Sequence, residues 1–221
     1  MKRAAIAVVL FALLAPDANL AASLTAQHAR LFPPEDLGLL EGPDRDAYQR
    51  PDQIMDALQI GEDSVVADLG AGGGWFTVRL ARRVRGKGGR VYAEDVQQPM
   101  IDAIKRRITR EGLTNVHTVV GTQVDPKLPP NSLDAALMVD AYHEFEQPVT
   151  LLRALARAMK PTGLIGIVNY KRDGGGPGPP MEARVDPEQV IADAQAAGLE
   201  LRKRETFLRY QYMLTFGVPP K

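Results

Sequence analysis

Val65-Val66-Ala67-Asp68-Leu69-Gly70-Ala71-Gly72-Gly73-Gly74-Trp75-Phe76-Thr77 reads as an apolar strand that ends in an acid and runs into three alternating glycines opening a helix. Gly70 and Gly72 suit a tight turn with positive φ, where a Cβ is penalised. Gly74 suits close approach of a ligand or of the helix to the strand end. The stretch predicts a backbone cradle for a small, nucleoside-like ligand.

The dinucleotide fingerprint requires a glycine three residues after the second glycine of its G-x-G pair. Trp75 stands there after Gly70-x-Gly72, and Thr77 stands there after Gly72-x-Gly74, so both registers fail. The stretch matches Asp-x-Gly-x-Gly-x-Gly instead. A carboxylate two residues before the first glycine suits a ligand carrying an ammonium better than one carrying a pyrophosphate. Asp68-Leu69-Gly70-Ala71-Gly72-Gly73-Gly74 resembles motif I of the class I S-adenosyl-L-methionine (SAM) methyltransferases. The resemblance implies SAM as cofactor, with Asp68, Gly70, Gly72 and Gly74 at its site.

From residue 65 onward, apolar runs alternate between strand-like and helix-like periods, which predicts βαβ units and a parallel sheet. Strands are expected at 65–69, 90–95, 116–120, 134–139 and 164–169. Helices are expected at 75–84, 99–111, 148–159 and 187–197, followed by a terminal strand pair at 199–205 and 210–216. The fold class is therefore α/β: a doubly wound, seven-stranded, mostly parallel sheet with helices on both faces and its last strand antiparallel. It matches the Rossmann-like class I methyltransferase topology, and the likeness covers about residues 45 to 217.

Ligands bind at strand ends in such sheets. Strand two ends in Glu94-Asp95, and the family pattern puts a ribose-binding acid at Asp95, with Glu94 as its competitor because neighbours in a strand alternate faces. After strand three the family often has Gly-Asp, whereas this chain has Gly121-Thr122-Gln123-Val124-Asp125. Thr122 is the expected cofactor contact there, with Asp125 as a substitute.

Strand four leads into Asp140-Ala141-Tyr142-His143-Glu144-Phe145, the densest set of reactive groups. Methyl transfer is an in-line displacement, so positioning a nucleophile against the methyl supplies much of the catalysis. A base matters only where the acceptor must lose a proton. His143 is the candidate base near neutral pH, and Asp140 is its orienting partner, an alternative base and a cofactor contact. Tyr48, Arg50, Tyr142, Glu144, Tyr170 and Lys171 are candidate acceptor-binding residues. Lys171, Arg172 and Arg184 either meet an acidic substrate or form a solvated cluster. The glycine- and proline-rich run at 174–180 is expected to be a mobile lid.

Residues 1–23 read as a signal-peptide-like leader: Met1-Lys2-Arg3, an apolar run over 4–15 too short for a comfortable span, and small residues at Ala21-Ala22-Ser23. Export is the expectation, periplasmic or secreted, with cleavage after Ser23. A membrane anchor and a cytoplasmic protein are the alternatives. Export would separate the protein from the cytoplasm, where SAM is made. Residues 24–50 read as an extended arm because of their proline, glycine and charge content, and 51–221 as the SAM-binding methyltransferase domain.

Acidic and basic residues balance at 27 each, which gives no global field for nucleic acid or anionic membrane. Ala141-Tyr142 replaces the prolines of a nucleic-acid amino-methyltransferase signature, so a small-molecule acceptor is favoured and no specific nucleic-acid binding is expected. Nothing beyond the leader reads as a membrane span, and no feature assigns an oligomeric state. The absence of cysteine excludes disulfides, thiolate metal sites and thiol nucleophiles, and no His/Asp/Glu group has metal-site spacing. The sequence thus points to a SAM-dependent methyltransferase acting on an oxygen or nitrogen nucleophile. The competing reading is an exported nonenzymatic protein that keeps the fold to bind a nucleoside or small ligand. A nicotinamide oxidoreductase is disfavoured by Trp75.

Overall fold

The structure, a computed structural model, describes residues 31–219. The expected leader and the first residues of the arm lie outside them. Elements follow in the order α1 (Arg45–Gln49), α2 (Pro51–Ala57), β1 (Val65–Leu69), α3 (Trp75–Arg83), β2 (Arg90–Asp95), α4 (Gln98–Arg110), β3 (Val116–Val120), β4 (Leu133–Val139), α5 (Pro148–Ala158), β5 (Met159–Tyr170), α6 (Pro187–Ala196), β6 (Glu200–Glu205) and β7 (Gln211–Gly217).

One seven-stranded sheet carries the order β3-β2-β1-β4-β5-β7-β6. β1 to β5 run parallel, and β7 is antiparallel to both of its neighbours, β5 and β6. The chain order reverses between β1 and β4, which opens a crevice beyond their carboxyl ends.

Both faces of the central strands are buried, as a parallel sheet requires. Ala67, Leu69, Ala136 and Met138 pack with Leu151, Leu152 and Leu155 of α5 and Val190 of α6. Val66, Ala135 and Leu137 turn to the opposite face and pack with Ile54 and Met55 of α2 and Phe76 and Leu80 of α3. Strand alternation thus places Asp68, in step with Val66, on the α2 and α3 side.

Two boundaries differ from expectation. The arm is not extended: Pro34–Glu41 forms a 3-10 helix and Arg45–Gln49 an α-helix. Pro34 sits at the first helical turn, where its fixed φ and missing N–H are harmless, and Glu35 and Asp36 favour the positive helix end. β5 also starts at Met159 rather than 164, because Leu133 pairs with Met159 before an irregularity in which β5 carries the extra residues.

Candidate active site

A cavity of about 480 Å³ fills the crevice, within the range of small-molecule sites. The glycine loop forms its floor. Gly70, Gly72 and Gly74 have φ of 62°, 53° and 78°. A Cβ on Gly70 would lie 2.5 Å from Ala141 Cβ, so the loop after β1 and the loop after β4 touch only because Gly70 has no side chain. Gly74 has a different task and does not border the cavity: its bare Cα faces Ile104 and lets α4 approach.

Three acids meet the loop. Asp68 Oδ2 accepts a 2.6 Å hydrogen bond from Thr77 Oγ1 of α3. Burial pushes its carboxyl up to about 6, opposed by that hydrogen bond and by the charge of Arg45. Asp95 accepts from Gly72 N at 3.0 Å and from Gln97 N at 2.9 Å, and burial raises its pKa. Glu94 accepts from Gly70 N at 3.4 Å, and burial, reinforced by Asp95, pushes it up to about 8. At neutral pH Glu94 therefore carries a proton and can donate as well as accept. Asp68, Glu94 and Asp95 all border the cavity.

Across the cavity, Asp140 follows β4 in the left-handed region at φ 57°, a conformation that aspartate tolerates better than most residues. Burial pushes its carboxyl up to about 6, opposed by the charge of Arg45, the hydrogen bonds from Gln211 and the charge of Arg184. His143 and Glu144 line the same wall, with His143 Nε2 4.0 Å from Glu144 Oε1. Glu144 also accepts from Phe32 N at 3.0 Å, and burial pushes it up to about 7. Tyr48 and Tyr170 border the cavity with their hydroxyls 3.4 Å apart.

Five expected contacts lie elsewhere. Thr122 does not line the cavity; its hydroxyl closes a turn with the backbone of Asp125, and the next residue, Gln123, reaches the cavity instead. Tyr142 is buried and donates to Asp193 of α6 at 2.9 Å. Arg50 bonds Gln53 on the surface. Lys171 Nζ is engaged by the carbonyls of Leu208 and Arg209. Gly74 faces α4, as above. The hydroxyls and the lysine satisfy nearby partners, which a linear reading of strand ends cannot foresee.

The arm supplies what that reading missed. Arg45 borders the cavity, donates to Leu40 O at 2.6 Å and stacks 4.2 Å from the Trp75 ring centre. Its only sequence signal is Arg45-x-x-Tyr48, a pair on one helical face. Arg184 is neither exposed nor directed at a substrate. It is buried and donates to the carbonyls of Lys171, Gly175, Pro177 and Pro179, pinning the 174–180 loop so that Pro177–Pro180 roof the cavity. Among the described residues, no cluster of His, Asp or Glu could hold a metal ion, and no helix is long and apolar enough to cross a membrane.

Residues 66–163 match a family model described as a methyltransferase domain. An uncharacterized methyltransferase of Mycobacterium tuberculosis is 33% identical over 143 residues, covering 62% of this chain and 55% of that protein. Nocamycin O-methyltransferase of Saccharothrix syringae is 31% identical over 132 residues, covering 60% and 44%. The chain thus spans about half the length of the curated relatives it matches. A SAM dependent methyltransferase from Aquifex aeolicus superposes with a TM-score of 0.80 and 26% identity, over 85% of this chain and 100% of that one. The [4+2]-cyclase SpnF, 19% identical with a TM-score of 0.67 over 79% and 82%, shares the fold alone.

Proposed function

We propose that this chain, which carries a class I SAM-dependent methyltransferase domain, transfers the methyl group of SAM to an oxygen or nitrogen of a small-molecule acceptor. The observation that carries this reading is one cavity with two chemically distinct walls. Asp68, Glu94 and Asp95 ring the glycine loop, and Asp140 and His143 face them from the segment after β4.

The residues present fit the cofactor. Asp68 is a desolvated carboxylate held by a single side-chain donor, Thr77, which suits an ammonium group. Arg45, acting electrostatically on Asp68, suits the neighbouring carboxylate of an amino-acid tail. Asp95 and Glu94 suit ribose hydroxyls, Glu94 as donor and acceptor. SAM supplies a methyl on a positively charged sulfur. This chain's own groups then orient the acceptor and remove its proton where it has one to lose. Asp140, pushed up to about 6, is ionised at pH 7 to 8 and can take or orient that proton, with His143 beside it on the same wall. The arm and the pinned 174–180 loop cover the cavity above them.

Calorimetry with SAM, S-adenosylhomocysteine and NAD tests the reading. Both adenosyl ligands are expected to bind and NAD is not. Asp68→Ala is expected to weaken the adenosyl ligands about tenfold or more, the scale of one charge-assisted contact. His143→Ala should leave affinity intact and slow turnover. No measurable adenosyl binding at high micromolar concentration overturns the reading, and tight binding without methyl transfer to any acceptor favours a binding protein. We also propose export by the leader: a mature amino terminus at Leu24 supports it, and an intact Met1 in cytoplasmic extract overturns it.

A further inference from the structure

Four side chains form an unbroken polar chain from the arm to the cavity. Arg45 Nε donates to Gln49 Oε1 at 3.1 Å, and Gln49 Nε2 donates to Gln211 Oε1 at 2.9 Å. Gln211 Nε2 then donates to both oxygens of Asp140, at 2.7 and 2.9 Å. Gln49 is 0% exposed and Gln211 1%. A guanidinium only donates and an ionised carboxylate only accepts, so the two charged ends fix the direction of both amides between them. Turning either amide over would set like groups against each other out of reach of water, which is costly.

The chain joins elements that are far apart in sequence. Gln49 closes the short helix α1, Gln211 opens β7, and Asp140 follows β4. The charges of Arg45 on α1 and of Arg184 in the segment before α6 act on Asp140, which in turn adds to burial in raising the hydroxyl pKa of Tyr170 on β5 and Tyr212 on β7, and His143 lines the same wall. Gln211 hydrogen-bonds both oxygens of the Asp140 carboxylate.

We propose that Gln211 is a positioning residue that sets Asp140 toward the acceptor, and that Gln49 makes this setting conditional on closure of the arm. The proposal rests on Asp140 being the acceptor-facing acid of the reading above. Gln211 Nε2 sits between the two carboxylate oxygens and shares one N–H with both, which fixes the carboxylate's orientation and leaves further lone pairs for the acceptor. Gln49 in turn holds the Gln211 carbonyl oxygen, so a lifted arm releases the amide and Asp140 loses its setting. The proton acceptor is then assembled only when the arm covers the cavity. Fully satisfied buried networks have this rigidifying effect. Removing the Gln211 donor also removes an interaction that favours the ionised form of Asp140.

Carboxyl-carbon NMR titration of the full chain, labelled at aspartate and assigned with Asp140→Asn, reads this setting without an acceptor. Gln211→Leu is expected to raise the Asp140 midpoint by about one unit or more. Gln49→Leu should move it in the same direction by less, and Gln53→Leu, on the exposed side of α2, should not move it. Gln211→Glu keeps the shape and places a second carboxyl against Asp140; it should raise the midpoint too, and it decides the matter if Gln211→Leu does not fold. A wild-type Asp140 midpoint in the folded Gln211 variants overturns the positioning role, and one in Gln49→Leu overturns the link to the arm. Calorimetry with S-adenosylhomocysteine on the same samples keeps the two readings apart. Failure of the wild-type chain to bind it overturns the proposed function, whereas the titration still judges Gln211.

Discussion

Gly70 shows how one missing side chain sets the site. Its φ of 62° already disfavours any other residue, and a Cβ there would strike Ala141, which leads from Asp140 toward His143. Gly70→Ala is expected to cost about 1–3 kcal/mol, the scale of a strained backbone position, and to abolish S-adenosylhomocysteine binding. Urea denaturation and calorimetry check it, and wild-type values in both would show that the two loops do not depend on their contact. The same residue explains what was legible in the sequence. Asp68, Gly70, Gly72, Asp95, Asp140 and His143 sit where a strand ends, and strand ends in this fold are dictated by local pattern. Gln49 and Arg45 were not legible, because each is polar on a short helix that local pattern marks as surface; the stretch Tyr210-Gln211-Tyr212 could be read as pocket-lining, but nothing local shows that Gln211 bonds Asp140. Tertiary docking buries the two glutamines entirely. Tyr142 and Thr122 misled for the opposite reason: their hydroxyls found partners close by, in Asp193 and Asp125.

At the scale of elements, the strands were legible to within a residue or two except at the start of β5, because a sheet buried on both faces writes continuous apolar runs into the sequence. The arm was not, because its few apolar residues show no clear period. Leu37 and Leu40 cover Gly73 and Gly72, Asp46 pairs with Arg79 at 2.7 Å, Glu41 pairs with Arg107, and Phe32 links Glu144 to Gln97. The exposed pairs contribute about 0–1 kcal/mol each, so the arm is expected to open before the sheet does. Replacing Leu37 and Leu40 together with aspartate is expected to speed S-adenosylhomocysteine dissociation about tenfold while the melting temperature moves by only a few degrees. Stopped-flow displacement measures the rate, and an unchanged rate would mean that the arm does not gate the cavity. The 174–180 loop depends on a single residue in a comparable way. Arg184→Ala removes the donor shared by four carbonyls and should expose the bonds after Lys171 and Arg172 to trypsin, with the sheet intact by circular dichroism. Equal cleavage rates in variant and wild type would show that the loop is held by something other than Arg184.

For the whole molecule, a chain of balanced charge gathers its buried and half-buried acids around one cavity. Asp68 and Asp140 are pushed up to about 6, Glu144 to about 7 and Glu94 to about 8, in each case chiefly by burial. A carboxyl whose folded pKa lies above its unfolded value of about 4 keeps a proton in the fold that the unfolded chain has released. Its stabilising effect is complete below the unfolded value and is lost as pH rises through the folded one. Without ligand, the melting temperature should therefore fall between pH 5.5 and 8.5. About 1 kcal/mol corresponds to roughly 2–4 °C in a protein of this size, so a decline of several degrees is expected. SAM should reverse the trend, because a cationic ligand interacts best with the cavity when its carboxylates are ionised, and its stabilising shift should be larger at pH 8.5 than at 5.5. S-adenosylhomocysteine lacks the sulfonium charge and should show a weaker pH dependence. Scanning calorimetry at matched ionic strength separates the two ligands. A melting temperature that rises with pH in the free protein, or identical pH dependence for both ligands, would show that the four acids do not form the electrostatic environment of the cavity.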